Sequence, residues 1–185
     1  MQAFIAQHRC LSPYYRQIPD EFVAYLQTNM GNDNQPPFLL ELVHFEWIEM
    51  VLAITEAEPV AAFKSSEPKD WLDACPVFTP VMQLLHYAYP VQRINLDYQP
   101  SEPPEQTTLI LGFRDANDAV QFIGLNSATA RLVELLHHTD NTLRVAIQQI
   151  AIELQHPEPS ALYAFGLEML ADLRQQGIIL CARII

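Results

Sequence analysis

The segment from Phe38 to Ile54 constrains the fold of this chain most, because its apolar residues leave almost no polar face. Pro36 and Pro37 precede it, and proline suits the first turn of a helix because its missing N–H would have no intrahelical partner there. A helix that is apolar around most of its circumference lies between other elements of a folded protein. We therefore predict a central helix over Phe38–Ile54, with a shorter helix over Pro19–Gln27 before it.

Elements of a different kind follow this helical half of the chain. Alternating or β-branched runs predict strands over Val91–Leu96, Thr107–Arg114 and Ala119–Leu125, the last two joined by the hairpin loop Asp115–Asp118. Capping residues then open three predicted helices. The helices are Ser127–His137, Thr142–Leu154 and Ser160–Gln176. Gly177 would end the last helix in a left-handed conformation, and a terminal strand, Ile178–Ile185, would follow.

This order of elements predicts an α+β protein with two domains. A helical N-terminal domain would cover residues 1–74, and a winged-helix-like domain with a small antiparallel sheet would cover residues 75–185. The mixed, charged stretch Pro59–Asp73 would connect them. Another small α+β fold with the same order of elements is the alternative.

Charge composition favours a protein or peptide partner over nucleic acid. The chain has 10 basic and 22 acidic residues, a formal net charge of −12, and its Lys and Arg residues are scattered singly. DNA binding requires clustered basic residues that neutralise phosphates, so this composition argues against DNA. The sequence also has no apolar run of membrane-spanning length and no secretory signal pattern, which predicts a soluble, cytoplasmic protein without membrane contact.

Residues with metal-binding or catalytic potential are sparse. Glu41 with His44 and Glu134 with His137 each repeat a Glu-x-x-His spacing found in di-iron helix bundles, but the two pairs fall in different predicted domains. The three cysteines, Cys10, Cys75 and Cys181, contain no Cys-x-x-Cys pair. No phosphate-binding loop or nucleophile elbow is recognisable. We therefore predict no catalytic residue, no metal and no cofactor, and a metalloenzyme ranks third among the function classes.

The strand Ala119–Leu125 is the predicted edge of the small sheet. An edge strand can accept an extended peptide through backbone hydrogen bonds, with pockets for alternate side chains, and this recognition needs no positive charge. The alternative is a winged-helix regulator whose helix Thr142–Leu154 enters the major groove, although Arg144 is that helix's single positive charge. The predicted peptide-binding residues on the strand and on the last helix are Phe122, Ile123, Leu125, Leu162, Phe165 and Met169.

His44, Glu46 and Trp47 form a second candidate surface on the long helix. Tryptophan is enriched at the centres of protein interfaces, so these three residues are candidates for partner binding. The alternative is that Trp47 packs in the core beside a polar group whose hydrogen bonds are satisfied.

The run from Phe38 to Trp47 resembles the HvfC/BufC peptide-modification chaperones, which were earlier labelled DNA-binding proteins and are similar to the partner subunit of the methanobactin biosynthesis complex. Ile18–Phe22 before it and Tyr89–Val91 after it also match that family. The C-terminal half is similar to PqqD-type leader-recognition domains. The residues that carry this second resemblance are Phe122, Leu125–Ala130, Asp140, Thr142 and Leu173–Ile178.

The resemblance implies a non-catalytic accessory protein. Such a protein would bind the leader of a precursor peptide and present the peptide's core cysteines to a TIM-barrel, iron-dependent oxidase. Family members usually carry further helices before the position that matches Met1, so the resemblance also implies a fragment or a short member of the family.

Overall fold

The structure is a computed structural model that describes residues 4–5, 14, 17–29, 35–57, 68–137 and 141–184. The chain forms two compact units, each built from two separate stretches: Met1–Val51 with His86–Thr108, and Leu52–Leu85 with Leu109–Ile185. The predicted division into consecutive domains at residue 74 stays a prediction. Most of the predicted connection Pro59–Asp73 lies outside the described residues, as does Cys10.

The first unit contains helix α1 (Ile18–Asn29) and the part of helix α2 (Leu39–Ile54) up to Val51. Asp20 and Glu21 lie in the first turn of α1, where the helix dipole stabilises negative charge. Helix α2 begins just after Pro37, and the amide of Leu39 donates to the carbonyl of Pro36 over 3.0 Å. Both predicted N-terminal helices are therefore confirmed.

A short 3-10 helix, Val91–Arg93, occupies the place where we expected the strand Val91–Leu96, so that prediction was wrong. The amide of Arg93 donates to the carbonyl of Pro90 over 2.9 Å, which starts a turn. Further on, the side-chain oxygen of Asn95 accepts from the amides of Asp97 and Tyr98. These local bonds compete with a strand ladder for the same backbone groups.

Two small sheets belong largely to the second unit. Strand β1 (Ala74–Phe78) pairs antiparallel with β5 (Ile179–Ile184). In the other sheet β3 (Thr108–Arg114) lies between β2 (Met82–Tyr87) and β4 (Val120–Leu125). The hairpin β3–β4 and the closing strand β5 are confirmed. Strands β1 and β2 were missed, since β1 carries a proline and is buried at four of its five positions, without alternation.

Three helices complete the second unit: α3 (Ser127–His137), α4 (Leu143–Glu153) and α5 (Tyr163–Gln175). Thr142 caps α4, and its side chain accepts from the amide of Val145. The expected cap at Ser160 was wrong, because a 3-10 helix, Pro159–Leu162, leads directly into α5 without a side-chain cap. Gly177 follows α5 with φ +74°, the left-handed conformation expected of it.

The core of the second unit lies between the sheet and these helices. Leu111 of β3, Leu132 of α3, Leu143 of α4 and Ile178 each have 0% of their surface exposed. Helices packed against small antiparallel sheets make the protein α+β, as predicted. The winged-helix-like arrangement stays a prediction.

Candidate functional site

Strand β4 is at one edge of its sheet. Within residues 68–137 and 141–184, β3 is the strand to which it is hydrogen-bonded. The two strands pair antiparallel from Leu109 opposite Leu125 to Arg114 opposite Val120. An edge strand presents a row of backbone N–H and C=O groups to whatever lies beyond it.

The hairpin loop shows which backbone groups of β4 point outward. The amide of Asp115 donates to the carbonyl of Ala119 over 2.9 Å, so this closing pair is hydrogen-bonded. In an antiparallel ladder hydrogen-bonded and non-hydrogen-bonded pairs alternate. Val120 and Gly124 therefore direct their backbone groups away from β3, towards the sheet edge. A Cβ atom built on Gly124 meets no other atom within 4 Å.

Asp115 fixes the conformation of this hairpin. Its carboxylate accepts from the amides of Asn117 and Ala119 at 2.8 and 3.0 Å, and from the side-chain amide of Gln121 at 3.3 Å. These hydrogen bonds, the one from Ala119 above all, lower the pKa of Asp115. Asp118 takes the left-handed conformation, with φ 61°. Side-chain bonds to the turn hold the register of β4.

A groove of about 270 Å³ runs beside β4, between this strand and α5. Ile123, Gly124 and Leu125 form its sheet side, and Asn126 and Thr129 close one end. The lining residues of α5 recur at helical spacing and so share one face of the helix. These residues are Phe165, Glu168, Met169, Asp172, Leu173 and Gln176.

The floor of the groove is rigid because its residues also belong to the core. Met169 is 7% exposed and Leu173 is 2% exposed, and both pack in the main cluster of the second unit. The hydroxyl of Thr129 donates to the sulfur of Met169 over 3.1 Å. Phe165, by contrast, is 47% exposed at the rim. The groove therefore has a fixed apolar floor and an accessible aromatic wall, which suits binding of an apolar side chain.

Four of the six predicted peptide-binding residues meet at this groove: Ile123, Leu125, Phe165 and Met169. Phe122 points to the opposite face of β4, where a Cβ added to Gly112 would lie 2.7 Å from its ring. Leu162 packs against the core from the 3-10 helix before α5.

Sequence reasoning missed two acidic residues of the lining, Glu168 and Asp172. They lie four positions apart on α5 and are both exposed. The signal was present, because residues three and four apart share a helix face with Phe165 and Met169.

The predicted partner-binding residues of α2 lie in the first unit and make specific contacts there. The ring nitrogen Nδ1 of His44 is 2.8 Å from the hydroxyl of Tyr87. The indole N–H of Trp47 donates to the carboxylate of Asp20. Glu46 is exposed. Hydrogen bonds therefore fix the two aromatic rings, while the charge of Glu46 faces solvent.

Glu41 connects α2 to the turn after β2. Its two carboxylate oxygens accept from the amides of Ala88 and Tyr89, at 3.0 and 2.8 Å. Burial lowers the pKa of His44, and the negative charge of Glu41 partly opposes that shift. Burial also raises the pKa of Tyr87, and Glu41 adds to that effect. The Glu41–His44 pair thus has a structural role in holding this turn.

Metal-ligating side chains do not converge in the described part of the chain, where no group of three or more His, Cys, Asp or Glu residues could hold an ion. Glu134 forms a salt bridge with Arg131 at 2.9 Å. Cys75 is buried and Cys181 is half-buried, and neither forms a disulfide bond within the described residues. Burial raises the pKa of the Cys181 thiol, which disfavours the reactive thiolate.

Helix α4 is the element that would enter the major groove of DNA in the alternative hypothesis, and its single arginine forms hydrogen bonds within the protein. Arg144 donates two hydrogen bonds to the carboxylate of Asp73, at 2.6 and 2.8 Å, and its guanidinium lies 5.3 Å from the ring centre of Tyr163. At the other end of α4, Glu153 binds Arg131, which lowers the pKa of Glu153 to about 2. The arginines at the two ends of α4, Arg144 and Arg131, are thus already paired with carboxylates rather than available to phosphates.

None of the helices in the described segments is long and apolar enough to cross a bilayer. A comparison with curated proteins finds no match. The family model described as HvfC C-terminal domain matches residues 79–174, which is 96 of the 185 residues. The matched range includes β4, every lining residue of the groove except Gln176, and nearly all of α5. At family level this domain is associated with an accessory role in peptide modification. The chain therefore belongs to the HvfC family, through a match to its C-terminal domain.

Proposed function

We propose that this protein binds a precursor peptide in extended form along the outer edge of β4 and presents it to a TIM-barrel, iron-dependent oxidase. The observation that carries the proposal is the position of an edge strand beside a groove with an apolar floor. Family membership supports the general role, an accessory protein in peptide modification. The leader peptide and the oxidase are the specific parts of the proposal.

Backbone hydrogen bonds would supply the affinity that is common to different peptides. The outward-facing groups of Val120 and Gly124 can pair with a peptide strand, as in other proteins that recognise peptides by strand addition. Strand β4 has 6 residues, which corresponds to about 20 Å of extended chain. A peptide segment of about six residues could therefore pair along β4, and the part of it beside Ile123–Leu125 would lie against the groove.

Apolar side chains of the peptide would supply specificity. Alternate residues of a strand point to the same side, so every second side chain of the added peptide faces α5. The exposed ring of Phe165 and the side chains of Ile123 and Leu125 offer those residues an apolar contact. Thr129 and Met169 keep the floor in place, so little ordering would be needed on binding.

The exposed part of α2 is our proposed contact surface for the oxidase. Its residues are His44, Glu46 and Trp47, and the bonds to Tyr87 and Asp20 hold the two rings in fixed positions before binding. A rigid aromatic surface loses little entropy when it is covered. A DNA-binding role finds no support in α4, because Arg144 is already bound to Asp73.

The test substitutes Gly124 at the sheet edge. Proline at this position removes an outward-facing N–H and blocks strand addition, yet it breaks no hydrogen bond to β3. The matched control is Gly124→Ala, which retains the N–H and places its Cβ in open space. Binding is measured by calorimetry with the precursor peptide encoded beside the chain's gene, and capture of the neighbouring oxidase is measured separately by pull-down.

We expect Gly124→Pro to weaken peptide binding about tenfold or more, since it removes one hydrogen bond and adds a steric block. Gly124→Ala should bind like the unmodified protein. Circular dichroism checks that both variants are folded. If folded Gly124→Pro binds the peptide as tightly as Gly124→Ala does, recognition does not use this edge. If the unmodified protein captures neither peptide nor oxidase, the proposed function is wrong.

A further inference from the structure

We propose that the peptide bound in the groove carries two basic residues, two positions apart, on the side that faces α5. This inference rests on the proposed function and names the chemistry of the peptide. It starts from the two carboxylates that line the groove, Glu168 and Asp172. Both are exposed, and both lie on the same helix face as Phe165.

The lining of the groove has negative charge and no positive charge. Its charged members are Glu168 and Asp172, and its polar side chains Asn126, Thr129 and Gln176 are uncharged. A peptide with Asp or Glu at these positions would be repelled, whereas Lys or Arg would be attracted. The formal net charge of −12 would also draw a basic peptide towards the protein from a distance.

Three other carboxylates of the second unit are paired with arginine. Glu134 and Glu153 bind Arg131, and Asp73 binds Arg144. Within the described residues, Glu168 and Asp172 have no such ion pair. The basic groups that would neutralise them are therefore not supplied by this part of the protein, and a bound peptide can supply them.

The spacing of the two carboxylates would match an extended peptide that runs along α5. Residues four apart on a helix are separated by about 6 Å along its axis. Alternate residues of a strand are separated by about 6.6 Å. Each carboxylate can therefore meet one basic residue of a Lys-x-Lys or Arg-x-Arg pattern, while Phe165 receives an apolar residue at the next position of the same row.

The experiment uses two fluorescein-labelled peptides of ten residues with identical apolar positions. One carries Lys-x-Lys and the other Glu-x-Glu on the same side of the extended chain. Fluorescence anisotropy at low salt measures the binding of both peptides to the unmodified protein and to two double variants. The first double variant, Glu168→Gln with Asp172→Asn, neutralises the groove. The control, Glu102→Gln with Glu105→Gln, neutralises two exposed carboxylates of another loop and gives the same net charge.

We expect the Lys peptide to bind the unmodified protein about tenfold more tightly than the Glu peptide, since two partly exposed ion pairs each contribute a few-fold. The groove variant should lose most of this preference, and the control should keep it. Added salt should reduce the preference. Equal binding of the two peptides, or a preference that survives in the groove variant, overturns this inference and leaves the edge-strand proposal standing. Binding of neither peptide to the unmodified protein overturns both.

Discussion

Gly166 lies where α5 packs closely against α4, and replacing it tests the packing that holds the helix side of the groove. A Cβ atom built on Gly166 lies 2.6 Å from Cδ1 and 2.9 Å from Cγ1 of Ile147, and 3.6 Å from Cδ1 of Leu143. Ile147 is 1% exposed and Leu143 is 0% exposed. In Gly166→Ala the buried side chain of Ile147 must therefore shift, or α5 must move away from α4.

The expected magnitude is a difference between two opposing effects. Alanine is favoured over glycine inside a helix by about 0.5–1 kcal/mol. Overpacking of a buried contact costs about 1–3 kcal/mol. Taking the middle of each range, we expect Gly166→Ala to lower the free energy of unfolding by about 1 kcal/mol.

Ile147→Val removes Cδ1, the atom nearest to the added methyl group, and this provides a test of the mechanism. Alone, the substitution costs about 0.5–1.5 kcal/mol. In the Gly166→Ala background it should cost less, because it makes room for the methyl group. The double variant should thus be more stable than the sum of the single effects predicts, by about 1 kcal/mol.

Urea unfolding followed by circular dichroism measures all four proteins of this cycle. Gly124→Ala serves as a control, since its new methyl group meets open space, and its stability should change by no more than about 0.5 kcal/mol. A Gly166→Ala protein as stable as the unmodified one would refute the packing argument. Strictly additive effects of the two substitutions would refute the role of Ile147.

Two further predictions concern the first unit and the hairpin. Burial lowers the pKa of His44 below 6.5, so the unfolded chain binds the proton more readily than the folded protein does. The free energy of unfolding should therefore decrease as the pH drops from about 6.5 towards the folded-state pKa. An NMR titration of the His44 ring with a midpoint at or above pH 6.5 would contradict this. Asp118 has φ 61°, a conformation that glycine adopts without steric cost and valine does not. Asp118→Gly should therefore raise the free energy of unfolding by about 0.5–1 kcal/mol, and Asp118→Val should lower it. Denaturant unfolding that shows the valine variant to be as stable as the glycine variant would disprove the argument.

Local signals identified most of the helices correctly. These signals act through backbone geometry over a few neighbouring residues, so they can be recognised in the sequence. Examples are Pro36 and Pro37 before α2, Thr142 at the cap of α4 and Gly177 after α5. Pairing between distant segments was harder to predict. Strand β1 pairs with β5, about a hundred residues away. The local sequence of β1 is buried and contains a proline, and it does not indicate which segment pairs with it.

The candidate site was predicted in part. Ile123, Leu125, Phe165 and Met169 line one groove, whereas Phe122 lies on the opposite face of the same strand. Both faces of β4 carry large apolar residues, so alternation alone does not tell which face meets α5. The packing of Phe122 against Gly112 distinguishes the two faces, and the sequence does not specify it.

The sequence by itself determined where most helices and the hairpin form, because propensity and capping depend on neighbouring residues. It also argued against DNA binding, because its basic residues are few and scattered singly. The edge position of β4 was predicted from the sequence, but only the tertiary structure decided which face of this strand meets α5 and that Glu168 and Asp172 line the groove between them. The physical reason is that a groove is defined by contacts between segments far apart in the chain. Those contacts depend on how the whole core packs.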